Sequence, residues 1–396
     1  MAIDIQEAYT PKSEIDARLK RLRRGLEKEK IEGALIMETA DLFYFSGTAQ
    51  QAFLYVPVTG DAVLMVKKDA QRAFEESSIE QVQALRSQKE MAGVIGSPKT
   101  LGMELDVLPV NMYRYFQELF PDTRIVDISH AVRSLRAVKS AYEINIIRQA
   151  SRLSDQLAAF VPRVLEAGMP EIELAGLIEA EARRLGHQGM IRMRGWNSSL
   201  FYGHIMGGAS AATASSLASP TGGAGTTPVF PQGSSFAPIR AGEPVLMDMA
   251  FGFRGYLSDH TRIYAIGSLA DDLLAAHDAM LGIQELVKNT ARPGMTAGSV
   301  YDLAAERVAE LGYTDNFMGV GEGRVPFVGH GIGIELDEYP VLARGQKMVL
   351  EEGMVVAVEP KVIFPGRGVV GIENTHIVTK NGLEQLGRYP EAVVIV

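Results

Sequence analysis

Soon after Thr10-Pro11, apolar residues recur three and four apart. Ile15, Leu19, Leu22 and Leu26 share one side of a helix, and Ser13 is placed to cap it. Arg18, Lys20, Arg21, Arg23 and Arg24 lie between them, interleaved with Glu14, Asp16, Glu27 and Glu29, which reads as a solvated outer face. The pattern then changes. GALIM (33–37), AFLYVPV (52–58) and AVLMV (62–66) are short apolar runs bounded by Gly and Asp, the signature of strands. Strands mixed with helices to about residue 130 predict an α/β domain. A helical pattern from Val138 to Leu165, with Ile144, Ile147 and Leu153 on one face, opens a second domain.

That second part repeats itself. Residues 167–186 align without a gap on 293–312 at a constant offset of 126, with Gly168/Gly294, Met169/Met295, Leu177/Leu303, Leu185/Leu311 and Gly186/Gly312 identical. Both copies read as a Gly-led helix ending at a C-terminal glycine. Further on, GEPVLMD (242–248) aligns on GMVVAVE (353–359), and DHTRI (259–263) on ENTHI (373–377). The ordered recurrence of a helix and two strands predicts a two-fold pseudo-symmetric α/β sandwich with something held at its centre. Between the copies, residues 207–236 are rich in Gly, Ser, Thr, Ala and Pro and lack periodicity. They form a long loop of the kind that often carries function.

Composition narrows the chemistry. The chain has 396 residues, a formal net charge of −9 and no cysteine. A nucleic-acid surface is disfavoured by the charge, and the missing thiols exclude disulfides, thiolate zinc sites and a cysteine nucleophile. No apolar run reaches the roughly 20 residues that a membrane span needs. The start of the sequence has no leader layout, which makes the cytoplasm the expected location.

Two hairpins carry the acids. Asp248 ends the run VLM and Asp259 follows eleven residues on, with the turn expected at Phe253-Arg254 and the two aspartates facing each other. Glu359 ends MVVAV and Glu373 follows fourteen residues on, with a turn centred at Gly366. Opposed like charges beside apolar strands are costly, and a bound cation removes the cost. His330, flanked by Gly329 and Gly331 and lying between the two hairpins in sequence, is the fifth candidate ligand. Four carboxylates and one imidazole suit two divalent ions such as Mn, Co, Fe or Zn.

With these residues in view, the sequence resembles the creatinase/prolidase/methionine-aminopeptidase family of "pita-bread" metallopeptidases, and within it the Xaa-Pro peptidase branch. The matching stretches are 245–267, 329–340, 352–360 and 371–382, with a less specific likeness of the creatinase-type N-terminal domain through Asp41–Gly47. The resemblance implies an α+β chain: a smaller α/β domain over 1–135 and a pseudo-two-fold catalytic domain over 136–396. It fills all five metal positions, Asp248, Asp259, His330, Glu359 and Glu373. Glu359 is expected to help move protons, and a homodimer is expected.

The chain departs from the family pattern in two places. Asp337 stands where these peptidases carry a second histidine, and the loop at 207–236 replaces a segment that carries another. Asp337 is therefore a candidate catalytic residue, with backbone capping as its plain alternative. His204 and Arg194 are candidate substrate-binding residues, each weighed against an ordinary structural role. Hydrolysis of a small peptide or amide leads. A small-metabolite lyase using Asp337 as general base is the alternative, and a non-enzymatic binding protein stands behind both.

Overall fold

A computed structural model describes residues 9–396 apart from 197, 199, 201 and 215. The first eight residues, read above for a leader, and Ser215 of the long loop lie outside the described residues. The chain divides into two compact units, Met1–Arg136 and Ala137–Val396.

The first unit is built on a six-stranded sheet: β1 (Gly33–Ile36), β2 (Ala52–Pro57), β3 (Val63–Val66), β4 (Gln81–Ala84), β5 (Thr100–Met103) and β6 (Arg124–Asp127). Its order is β4-β3-β2-β1-β5-β6, antiparallel across β1–β2 and β2–β3 and parallel elsewhere. The three apolar runs form β1, β2 and β3. Helix Lys12–Lys28 buries Ile15, Leu19, Leu22 and Leu26 as their spacing predicts. Two details differ. Pro11 precedes the helix directly and Ser13 falls inside its first turn, so no side chain caps it; proline's fixed φ lets the turn begin at once. Arg18 shares the face of Ile15, Leu19 and Leu22 and is buried rather than solvated. It donates to Tyr44 O at 2.9 Å and stacks on that ring.

The second unit places four longer helices about its sheets. Helix Ala141–Ala158 starts at Ser140 with a reciprocal capping box to Glu143. It stops short of Leu165, and of the three residues expected on its buried face only Ile147 is fully buried; Ile146, Ala150 and Leu157 complete that face. The strands are β7 (Gly203–Gly207), β8 (Val245–Phe253), β9 (Tyr256–Ala265), β10 (Phe327–Gly331), β11 (Glu338–Ala343), β12 (Val355–Val358), β13 (Lys361–Phe364), β14 (Gly368–Gly371), β15 (Asn374–Thr379), β16 (Gly382–Gln385) and β17 (Val394–Ile395). One sheet has the order β17-β9-β8-β7, a second β11-β10-β12-β15-β16, and β13-β14 form a ribbon.

The duplication is visible in backbone angles. The repeated segments are helices Glu171–Leu185 and Ala297–Glu310. Gly168 and Gly294 precede them with φ of 90° and 94°, and Gly186 and Gly312 follow with 103° and 80°. Only glycine takes such angles freely, which explains why these positions match between copies. The two sheets meet at Thr261 and Glu373, and the contact is reciprocal. Thr261 Oγ1 donates to Glu373 Oε2 at 2.9 Å, and its counterpart Thr375 Oγ1 accepts from Asp259 N at 2.8 Å. The molecule is therefore an α+β chain with an internally repeated larger unit.

Candidate metal centre and its cavity

The first hairpin turns at Arg254-Gly255, both with positive φ. That is one residue beyond the turn the sequence suggests, and it changes the register: Asp248 pairs with Thr261, and Asp259 with Ala250. The two aspartates are thus diagonal neighbours on one face of the ladder instead of direct partners. The second hairpin turns about Gly366 as expected. Val358 pairs with Asn374 and Lys361 with Gly371, so Glu359 and Glu373 sit opposite each other where the two ladders interrupt.

His330 lies in β10 between β11 and β12. Its flanking glycines have a steric cause. A Cβ on Gly329 would overlap Ala357 O, and one on Gly331 would overlap Tyr339 O. The ring donates through Nδ1 to its own neighbour, Gly331 O, at 3.1 Å. A carbonyl can only accept, so Nδ1 carries the proton and Nε2 is left as a lone-pair donor to a cation. Nε2 faces Glu359 Oε1 at 3.6 Å and Asp259 Oδ2 and Glu373 Oε1 at 3.9 Å. These distances exceed hydrogen bonds and suit ligands spread about one ion. Asp259, His330 and Glu373 offer three donor atoms within 4.8 Å of one another. The donor set fits a divalent metal.

A residue that the sequence reading passed over lies in the same cluster. Lys361 Nζ is 2.8 Å from Glu373 Oε2, 2.9 Å from Glu359 Oε2 and 3.1 Å from Asp248 Oδ2, and its side chain is 1% exposed. The signal was available: in an extended segment, Glu359 and Lys361 point to the same side. Burial opposes the charge on Lys361, but Asp248, Glu359 and Glu373 outweigh it and raise its pKa well above 10.5. Asp248 is also buried, yet Lys361 and His204 hold its pKa below the usual value. Asp259 is different. Burial, with Asp248 beside it, pushes its pKa up to about 7, and burial with Asp259 nearby raises Glu373 as well. Even with Lys361 in place, the cluster without a metal ion carries more carboxylate than it can comfortably ionise.

All five candidate ligands line one cavity of about 310 Å³, whose other walls include Met193, Leu200, Phe327, Leu336 and Val341. His204 lines it too, paired across the ladder with Asp248. It is buried, which lowers its pKa, and its Nε2 has no hydrogen-bond partner among the described residues. Asp337 is at the wall, and both oxygens hold backbone: Oδ1 accepts from Arg194 N at 2.8 Å and Oδ2 from Gly195 N at 3.0 Å. The Arg194 side chain is buried beside Glu335 at 3.6 Å and is not among the lining residues. The long loop is ordered against the site. Ala218 and Ser219 line the cavity, and Thr221 Oγ1 donates to Asp248 Oδ2 at 3.0 Å. Part of it is the short helix Gly208–Ala211.

Residues 145–380 match the model of metallopeptidase family M24. The chain belongs to that family. Residues 18–138 match the creatinase/prolidase N-terminal domain. The M24 chain is 28% identical over 371 residues to an Xaa-Pro dipeptidase of Pyrococcus furiosus, covering 93% of this chain and 97% of that one. Among solved structures, it superposes on an Xaa-Pro dipeptidase from Bacillus anthracis with a TM-score of 0.82 at 26% identity, covering 96% and 100% of the two chains. For a prolidase from Pyrococcus horikoshii OT3 the values are 0.80 and 25%, covering 94% and 99%. The fold is therefore that of the pita-bread Xaa-Pro peptidase branch, and the protein is a metal-dependent peptidase.

Proposed function

We propose that this M24 peptidase is a dipeptidase for short peptides with proline in the second position. The carrying observation is the cavity: the ligand cluster forms one wall, and Met193, Leu200, Phe327, Leu336 and Val341 offer apolar surface to a compact ring. The relatives named above are Xaa-Pro dipeptidases and a prolidase, which supports the same substrate class.

Asp259, His330 and Glu373 would hold a divalent ion, with Glu359 and Asp248 beside them. When bound, such an ion polarises the scissile carbonyl and acidifies water. Glu359 takes the proton that water loses and returns it to the departing nitrogen. His204, kept neutral by burial, uses its free Nε2 to contact the substrate. Asp337 positions the Arg194-Gly195 backbone that borders the cavity, and Arg194 is a supporting residue. The lyase alternative loses ground on the same geometry, because each Asp337 oxygen already accepts a backbone N–H.

The carboxylate-rich donor set with one imidazole suits Mn, Co, Fe or Zn, and manganese is our first choice. Two such ions are the count the resemblance implies. A cytoplasmic homodimer belongs to the same proposal; among the described residues no helix is long and apolar enough to cross a membrane. Light scattering should give twice the 43.0 kDa chain mass, and cell fractionation tests the compartment.

The decisive assay compares dipeptides. Metal-loaded protein should favour Xaa-Pro over Xaa-Ala by about 10–100-fold in kcat/KM, the discrimination an apolar pocket supplies. Glu359→Gln should lower kcat by about 10²–10⁴ with an unchanged circular dichroism spectrum. Equal turnover of both dipeptides, or of neither, would overturn the substrate reading.

A further inference from the structure

We infer that Lys361 takes the place of the second cation, so that the site holds one divalent ion and one built-in ammonium group. The inference rests on the peptidase reading for its ligand set and departs from the two-ion count.

The oxygens of the cluster are divided between two positions. Glu359 Oε1, Glu373 Oε1 and Asp259 Oδ2 face His330 Nε2 at 3.6–3.9 Å. Glu359 Oε2, Glu373 Oε2 and Asp248 Oδ2 face Lys361 Nζ at 2.8–3.1 Å. The two glutamates therefore bridge, as carboxylates do between two cations, but one of the two positions is already filled by nitrogen. An ammonium group donates three hydrogen bonds and accepts none, and here three carboxylate oxygens take them all. Asp248 Oδ2 is further engaged by Thr221 Oγ1 at 3.0 Å. The ligand geometry agrees. Among the described residues, Asp259, His330 and Glu373 form the one group of three metal-binding side chains with donor atoms within 4.8 Å; Asp248 is outside it, as is Glu359, whose Oε1 nevertheless lies 3.6 Å from His330 Nε2.

The lysine is built in. Its side chain is 1% exposed, and it pairs in the β13–β14 ribbon with Gly371. A Cβ on Gly371 would overlap Pro360 O and Lys361 Cα and would also come within 3.0 Å of Lys361 Cγ, so the ribbon is closely packed where the lysine leaves it. A divalent ion placed on the same three oxygens would have to expel a buried charge from its partners, a change that is strongly unfavourable. A fixed ammonium delivers part of the second ion's electrostatics without depending on metal supply.

Metal content and the electron paramagnetic resonance of manganese test this in the full-length protein. Purified protein titrated with Mn(II) and desalted should retain one ion per chain and give the six-line signal of an isolated centre. Lys361→Met removes the charge at similar volume and should retain two ions, with the multiline signal of a coupled pair. Lys361→Gly, which vacates the space, is the second variant should the methionine variant not fold. Two coupled ions in the wild type would overturn the inference, as would a single ion in both folded variants or none in the wild type. The count is read without substrate. Failure of Xaa-Pro cleavage would therefore strike the functional proposal and leave this inference standing.

Discussion

Each oxygen of Asp337 accepts a backbone N–H, at 2.8 and 3.0 Å, from a segment whose neighbour Met193 lines the cavity. A carboxylate so engaged is a brace. Asp337→Asn keeps one acceptor and turns the other into a donor facing an N–H, a loss of about 1–3 kcal/mol locally. The expected outcome is a raised KM with kcat within tenfold and an unchanged pH profile. A fall in kcat of about 10²–10⁴ together with a lost pKa in the profile would restore the general-base role. The sequence could name Asp337 because it departs from a family pattern, but not what its oxygens touch, since their partners lie over 140 positions away in the chain. The five candidate ligands were legible for a different reason. Each breaks or borders an apolar strand, and a charge there must be answered by something. Lys361 does the same in the run KVIF, where alternation puts it on the side of Glu359, but a single lysine opening an apolar run does not by itself show which acids it will meet.

A hairpin's turn is legible in the sequence where its glycines stand symmetrically between the paired acids. The ladder about Gly366 keeps Glu359 opposite Glu373. At the other hairpin, Arg254 and Gly255 form a two-residue turn, and Asp248 and Asp259 move to a diagonal. The signal was weak there because Gly252 and Gly255 stand on either side of the expected Phe253-Arg254 position, and only backbone angles show that Gly255 belongs to the turn itself. The long loop is the element whose composition revealed least and whose placement matters most. Its hydrogen bonds go to distant partners: Ser234 Oγ donates to Ile205 O at 2.6 Å, and Ser235 N to Glu171 Oε2 at 2.8 Å. Thr221 reaches Asp248 from within it. Replacing residues 212–230 by a short Gly-Ser linker removes Thr221 and the lining pair Ala218 and Ser219. Substrate preference across a panel of Xaa-Pro peptides should then change by tenfold or more, with the two repeated helices still folded by circular dichroism. An unchanged profile would make the loop a mere insertion.

At the scale of the whole molecule, the repeat was the most legible feature, because its glycines, helices and acids recur in order and only a common fold explains all of them. The stability of that fold carries a pH signature that no repeat could reveal. His376 is fully buried in β15, and burial lowers its pKa to about 3, with Lys288 acting in the same direction and Glu285 against it. His187 is buried and lowered to about 4. In the unfolded chain both titrate near 6.5. Below that value the unfolded state binds protons that the folded state refuses, so each histidine subtracts up to about 1.4 kcal/mol of stability per pH unit as the pH falls toward its folded value. Asp259 works in the opposite sense without metal: with its pKa raised to about 7, the folded state gains protons first and is favoured by acid. The raw pH curve therefore mixes both signs, and a difference measurement separates them. His376→Gln removes one of the refusing groups at some constant cost in packing. The gap in urea-unfolding free energy between wild type and His376→Gln should be constant above pH 7.5. Between pH 7.5 and 5 it should shift by about 2 kcal/mol in favour of the variant. A gap that does not change with pH would mean that His376 titrates in the folded chain as it does in the unfolded one, against what its burial requires.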